Sequence, residues 1–236
     1  MGSEMMSREK EIEAFVHARI NSIQKDYLSS NSKSRGARNL AVLRHAMMTP
    51  IGSDADAWPL EFEGLPVELA GRGPEPSCGE VAVHNALTLY AFHQQGQSIP
   101  MHVRGDNCGF GNAVRQLILR DKDRYSNLEA GEMPRRFRAL ITAESMEETC
   151  HYARQLVQQL RSAAIPFDYA EFAAQLYKLQ NPYKADSVRL AWGRGFAFAS
   201  SADADGSNDS NEKGNYNGRI SIHRRAYPPN GSAEQH

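Results

Sequence analysis

The residues of this 236-residue chain best suited to chemistry are arginines set at helical spacings. In PRRFRALITAESMEETCHYARQLVQQLR (134–161), Arg135 and Arg138 are three apart, and Arg154 and Arg161 are seven apart. Each pair therefore shares one side of a helix. A guanidinium is planar, always charged and forks onto two oxygens at once, so its natural partners are phosphates and carboxylates. Arg115, Arg136, Arg189 and Arg194 extend the set, and Arg44 and Arg104 lie further upstream. Residues 1–100 carry 9 Lys+Arg against 12 Asp+Glu, whereas 101–197 carry 14 against 11, mostly arginine. The pattern leaves two readings open. Arginines bordering an apolar stripe cover the core edge and pair with acids such as Glu144, Glu147 or Glu171. Alternatively, they form a cationic track for sugar–phosphate chains. Aromatics make up only 8% of the chain, which within the second reading favours backbone contact over base stacking.

Other chemistry finds no constellation. His84 and His93 are nine residues apart, half a helical turn out of phase, so they cannot share a metal. Glu80 and His84 stand at i, i+4, but two donors from one helix without a third make a weak metalloenzyme, and no HExxH pattern occurs. Gly105-x-x-x-Gly109-x-Gly111 lacks the Lys-Ser/Thr ending of a phosphate loop and reads as turn glycines. Acid pairs such as Asp54/Asp56 and Asp121/Asp123 read as solvated. Cys78, Cys108 and Cys150 form neither CxxC pairs nor an even disulfide set, as expected of idle or buried thiols in a reducing cytoplasm. No run of eighteen apolar residues predicts a membrane span, and the N-terminus is charged, unlike a secretory leader. No enzyme, cofactor or metal is expected.

The arginines need helices to hold them, and the periodicity supplies these. With Ala153 as zero on a helical wheel, Met146, Cys150, Leu156, Val157, Leu160 and Ala164 fall within about 60° of it. Ser145 followed by Glu148 reads as a capping box, and Phe137, Leu140 and Ile141 give the preceding helix its buried side. Upstream, residues 7–28 predict a helix burying Ile12, Phe15, Val16, Ile20 and Ile23. A polar joint at 29–38 follows, then a helix carrying Leu40, Leu43 and Met47. From Thr49 to Pro76 the chain is rich in Pro, Gly and acids, with Trp58 as its expected apolar anchor and a short helix possible near Pro66 to Leu69. Ser77 and Glu80 cap EVAVHNALTLYAFHQQ, apolar most of the way round and so expected at the centre of a bundle. NAVRQLILRD, IPFDYAEFAAQLYKLQ with Asp168 as N-cap, and SVRLAWGRGFAF complete the folded part. The organisation predicted is an N-terminal helix and joint (1–34), a helical domain (35–198) and a disordered polar tail (199–236) containing the basic island His223-Arg224-Arg225. The fold class is all-α, a compact bundle of about seven to nine helices.

Six segments occur in an order that carries a resemblance: HQQG (93–96), GFGNAVRQL (109–117), RRFRAL (135–140), ARQLVQQLR (153–161), IPFDYAEFAAQL (165–176) and VRLAWGRGF (188–196). With NLAVLRHAM (39–47) and the loop around Trp58, the chain from about 37 to 198 resembles CasB, the small subunit of the type I-E CRISPR surveillance complex, Cascade. The resemblance implies a helical protein without enzymatic activity, present as two copies beside other Cascade subunits. Its basic surfaces would face guide RNA and target DNA, holding the hybrid and the displaced strand in antiviral defence. Opening a duplex against a guide is nearly balanced, so backbone contacts can tip it. Carried over by position, Arg135 and Arg136 are expected to touch phosphates, followed by Arg115, Arg154 and Arg161, then Arg194. Arg138, Arg44 and Arg104 complete the candidate set, while Trp192 is expected in the core. The competing function is a protein–protein scaffold whose arginines meet acidic partner surfaces. The N-terminal helix and the tail depart from the shorter family members.

Overall fold

A computed structural model describes residues 7–120 and 133–198. The acid pair Asp121/Asp123, the tail from 199 and the basic island within it lie outside the described residues. Among those described there are nine helices: α1 (Arg8–Leu28), α2 (Lys33–Ala46), α3 (Trp58–Glu61), α4 (Cys78–Gln94), α5 (Phe110–Arg120), α6 (Arg135–Ile141), α7 (Met146–Ser162), α8 (Tyr169–Leu179) and α9 (Pro182–Phe198). The extended pairing among them is a single bridge between His102 and Phe167. The fold is all-α.

The central position expected for the Ser77-capped helix is found. α4 packs against α1, α2, α3, α7 and α8. Twelve of its residues are buried, among them Ala82, Val83, Ala86, Leu89, Tyr90 and His93. Its capping box is complete, with the Ser77 hydroxyl accepting from Glu80 N at 3.1 Å and Glu80 Oε2 from Ser77 N at 2.7 Å. α5 and α9 pair beside α8, and α6 lies on α7. Phe110, Phe137, Phe167, Phe172 and Trp192 fill the space between these two groups, and Trp192 is 1% exposed, a core anchor as expected.

Several local expectations are corrected by tertiary packing. Ile12, Val16, Ile20 and Ile23 of α1 enter the same core as α4 and α8. The polar joint is only four residues long, because α2 already starts at Lys33. Gly36 lies inside α2, where a Cβ would stand 2.2 Å from the Tyr27 backbone, so its lack of a side chain lets α1 and α2 touch. Gly111, read as a turn glycine, has the same task in α5, where a Cβ would meet the Trp192 carbonyl of α9 at 2.1 Å. Trp58 is 51% exposed and bonds the Gly52 carbonyl through its indole N–H, whereas Ala57, Glu61 and Leu69 are the buried residues of that segment. The helix there is α3, and Pro66–Leu69 makes a turn closed by Leu69 N to Pro66 O at 2.9 Å.

α7 ends two residues short of Ala164, which lies beyond it with φ +50°. Ile165 N–H donates to Leu160 O at 3.0 Å and Ala164 N–H to Arg161 O at 3.1 Å, the pair of hydrogen bonds of a left-handed C-terminal cap. At the other end Ser145 caps as expected, but Glu148 accepts from Glu144 N, one residue outside the expected box.

Candidate nucleic-acid interface

The candidate arginines separate into three surroundings. The first is a face built by α2, α4 and α7. Phe92 of α4, off that helix's core stripe, carries the guanidinium of Arg161 at 5.2 Å and that of Arg154 at 5.8 Å from its ring centre. Arg154 Nη1 also lies 3.3 Å from the sulfur of Met48, just past α2. Arg44 of α2 stands close enough to feel Arg161: burial first, then that neighbouring charge, pushes its pKa down. No carboxylate lies within 4 Å of Arg44, Arg154 or Arg161 among the described residues. Like charges held together without an acid make a local positive potential that an outside anion relieves.

The second surrounding is the α5–α6–α7 side. Arg135, Arg136 and Arg138 are exposed on α6, whose Phe137 and Leu140 point inward. Arg136 Nε donates to Gln155 Oε1 at 2.8 Å, which leaves both terminal nitrogens of its fork outward. Gln155 in turn lies 2.7 Å from His151 Nε2. Arg115 covers Phe196 of α9 at 5.7 Å, and Phe196 packs on Phe137 at 5.3 Å, which ties this cation to α6 through two rings. Arg194 is exposed on α9.

Arg104 belongs to neither face. Its Nε is 3.3 Å from Asp168 and its Nη2 is 3.7 Å from Glu13, so two carboxylates share its charge. Asp168 also accepts from Ala170 N and Glu171 N as the N-cap of α8. Tyr169 N–H donates to His102 Nδ1 at 3.1 Å, so the imidazole proton sits on Nε2 and points to His17 Nδ1 at 2.9 Å. Burial, with His17 and Arg104 nearby, pushes His102 down to about 4 against the pull of Asp168. This is a clasp between α1 and α8, and Arg104 leaves the candidate set on that account. Arg189 is likewise taken up at home, by Asp186 at 3.0 Å and the Ala143 carbonyl at 3.0 Å.

The weak metal pair dissolves. Glu80 spends its oxygens on Ser77 N and Gly71 N, and His84 Nδ1 lies 3.0 Å from Glu61, a carboxylate 1% exposed at the end of α3. His93 is fully buried against Tyr169 Oη at 3.0 Å, and burial pushes it down to about 3. The Cys150 thiol is raised to about 12 by burial. Among the described residues no helix is long and apolar enough to cross a membrane, and no group of three or more His, Cys, Asp or Glu side chains could hold a metal.

Residues 39–196 match the family model described as CRISPR-associated protein Cse2. The chain belongs to the Cse2/CasB family. A crystal structure of CasB from Thermobifida fusca is similar over 79% of this chain and 98% of that one, at 32% identity and a TM-score of 0.61. No curated protein sequence gives a significant match. Membership makes the chain a CRISPR Cascade subunit. The Cse2 match covers α3 to α8 entirely but begins only within α2, so Arg44, Arg154 and Arg161 fall inside it while α1 does not.

Two parts of the arginine surroundings were not anticipated from the sequence. Phe92 is the platform for two arginines, and its position off the apolar stripe of α4 was the available signal. Gln155, the holder of Arg136, gave no signal, because a glutamine nineteen residues away looks like any polar surface residue.

Proposed function

We propose that this chain is the non-catalytic small subunit of a type I-E Cascade, working in the cytoplasm in antiviral defence and contacting the backbone of guide RNA and target DNA. Two copies sit beside the other subunits and help hold the hybrid and the displaced strand. The guide reads the sequence, while this subunit supplies sequence-independent attraction. The supporting observation is that Arg154 and Arg161 share Phe92, with Arg44 close to Arg161 and no carboxylate within 4 Å of the three among the described residues. Arg135, Arg136, Arg138 and Arg115 offer further cations on the α5–α6 side. Each phosphate neutralised releases counterions, so a handful of such contacts gives steeply salt-dependent binding.

Binding of labelled single-stranded DNA or RNA, titrated at several salt concentrations, tests this. Arg135→Ala with Arg136→Ala should weaken binding for all sequences alike, and the log–log salt slope should become shallower by about 1.4 for single strands. Unaltered affinity in that double variant removes α6 from the interface. The scaffold alternative has one observation in its favour, the large apolar residues Tyr183, Leu190 and Phe198 exposed on α9.

A further inference from the structure

A groove of about 450 Å³ lies along α7, lined by Arg136, Gln155, Gln158, Gln159 and Ser162. With Arg154 as zero on a helical wheel, Arg161 falls at about −20°, Gln158 at about 40°, Ser162 at about 80° and Gln155 at about 100°. Gln158 is therefore the helical neighbour of Arg154, four residues before it, and of Arg161, three residues after it. Its other flank faces the groove. Arg136 forms the far wall from α6 and is held there by Gln155. The groove thus joins the Phe92 face to the α6 cations, and no carboxylate lines it among the described residues.

The lining differs in chemistry from the arginines on either side of it. Gln158 is exposed, and its amide has no hydrogen-bond partner among the described residues. An amide offers donors and an acceptor side by side. The Ser162 hydroxyl donates to the Gln158 carbonyl at 3.1 Å and keeps its lone pairs for accepting. A phosphate only accepts, so it would leave the Gln158 and Ser162 side-chain oxygens unmatched. The edge of a nucleobase presents donors and acceptors together, and glutamine and arginine are side chains that pair with such edges. The amide can turn over and exchange its donor side for its acceptor side, so it serves different bases without selecting one. We infer that this groove takes an unpaired nucleobase of the strand whose phosphates lie on the flanking arginines, with Gln158 hydrogen-bonded to the base edge. A paired base has its Watson–Crick edge occupied, so the groove favours single strands.

The inference rests on the backbone-contact reading, and its test separates the two. The full chain is titrated into labelled oligothymidylate and into a strand of equal length built of abasic deoxyribose phosphates, which carries the same charges without bases. Fluorescence anisotropy should show oligothymidylate bound about tenfold more tightly. Gln158→Leu should weaken that binding about fivefold with an unchanged salt slope, because no charge is lost. It should leave the abasic strand and the thermal midpoint unaltered. Equal affinity of the wild-type chain for the two strands overturns the inference and leaves the backbone contacts standing. An equal loss on both strands would place Gln158 against the backbone and overturns it too. So does oligothymidylate binding indifferent to Gln158→Leu, including the case in which that change instead blocks assembly with neighbouring subunits and the groove seats protein. Failure of both strands to bind removes the backbone-contact reading, and the inference falls with it.

Discussion

Arg104 and Arg161 lie in opposite chemical surroundings. Arg104 is shared by Asp168 and Glu13 in a clasp that ties α1 to α8. Arg161 shares Phe92 with Arg154, presses on Arg44 and has no acid within 4 Å among the described residues. A neutralised cation contributes to the fold, and taking its acid away leaves a charge to be resolvated. An unneutralised group of cations opposes the fold slightly, by mutual repulsion, and is relieved only when an anion arrives. The same residue type therefore serves stability in one region and recognition in the other, and the difference lies in the acids, which come from other helices.

The comparison can be broken in acid first. His102 of the clasp is held down to about 4 and the buried His93 to about 3, whereas an unfolded histidine takes its proton near about 6.5. Between those values the unfolded chain binds more protons than the folded one. Stability is therefore full above about pH 6.5 and falls by a few kcal/mol as pH drops towards 4. Glu171, raised by burial and by Asp168 and Glu13, works in the opposite sense over its own range. Denaturant unfolding at pH 7 and pH 4.5 measures the balance, and equal stabilities would mean that the clasp does not exclude protons.

Replacing Arg44, Arg154 and Arg161 together by Ala should lower affinity for single strands roughly 100-fold and flatten the salt slope by about 2, with the thermal midpoint unchanged or higher. A lower midpoint with intact binding would place these cations with Arg104. Asp168→Ala should do the reverse. Loss of the N-cap and the clasp costs about 2 kcal/mol of unfolding free energy, with the salt slope of binding unaltered. The smallest effect is expected at Gln155→Leu, which frees Arg136 to wander and weakens binding by a factor of about 3. It should have no further effect once Arg136 is Ala, and additivity in that double-mutant cycle would show that Gln155 does not act through Arg136.

Much of the fold was legible because its signals are local. Ser77, Ser145 and Asp168 each stand just before a helix and accept hydrogen bonds from its first N–H groups, and the apolar residues nearly all round α4 placed it at the centre from its own sequence. The order of short segments carried the family in the same way. Gly36 and Gly111 were illegible in their true role, because a glycine's sequence surroundings look alike whether it turns a chain or admits a neighbouring helix. Trp58 failed for a related reason: size alone suggests an anchor, but α4 accepted Glu61 and Leu69 in its place.

The amino-acid sequence by itself determined where helices start, which side of each is apolar, and that the second half of the chain is rich in guanidinium groups. Only the tertiary structure decided which of those cations stay unpaired, bringing Glu13 and Asp168 to Arg104 and leaving Phe92 to Arg154 and Arg161. The physical reason is range. Capping and periodicity act over a few residues, whereas neutralising a charge within 4 Å depends on which distant helix is packed beside it.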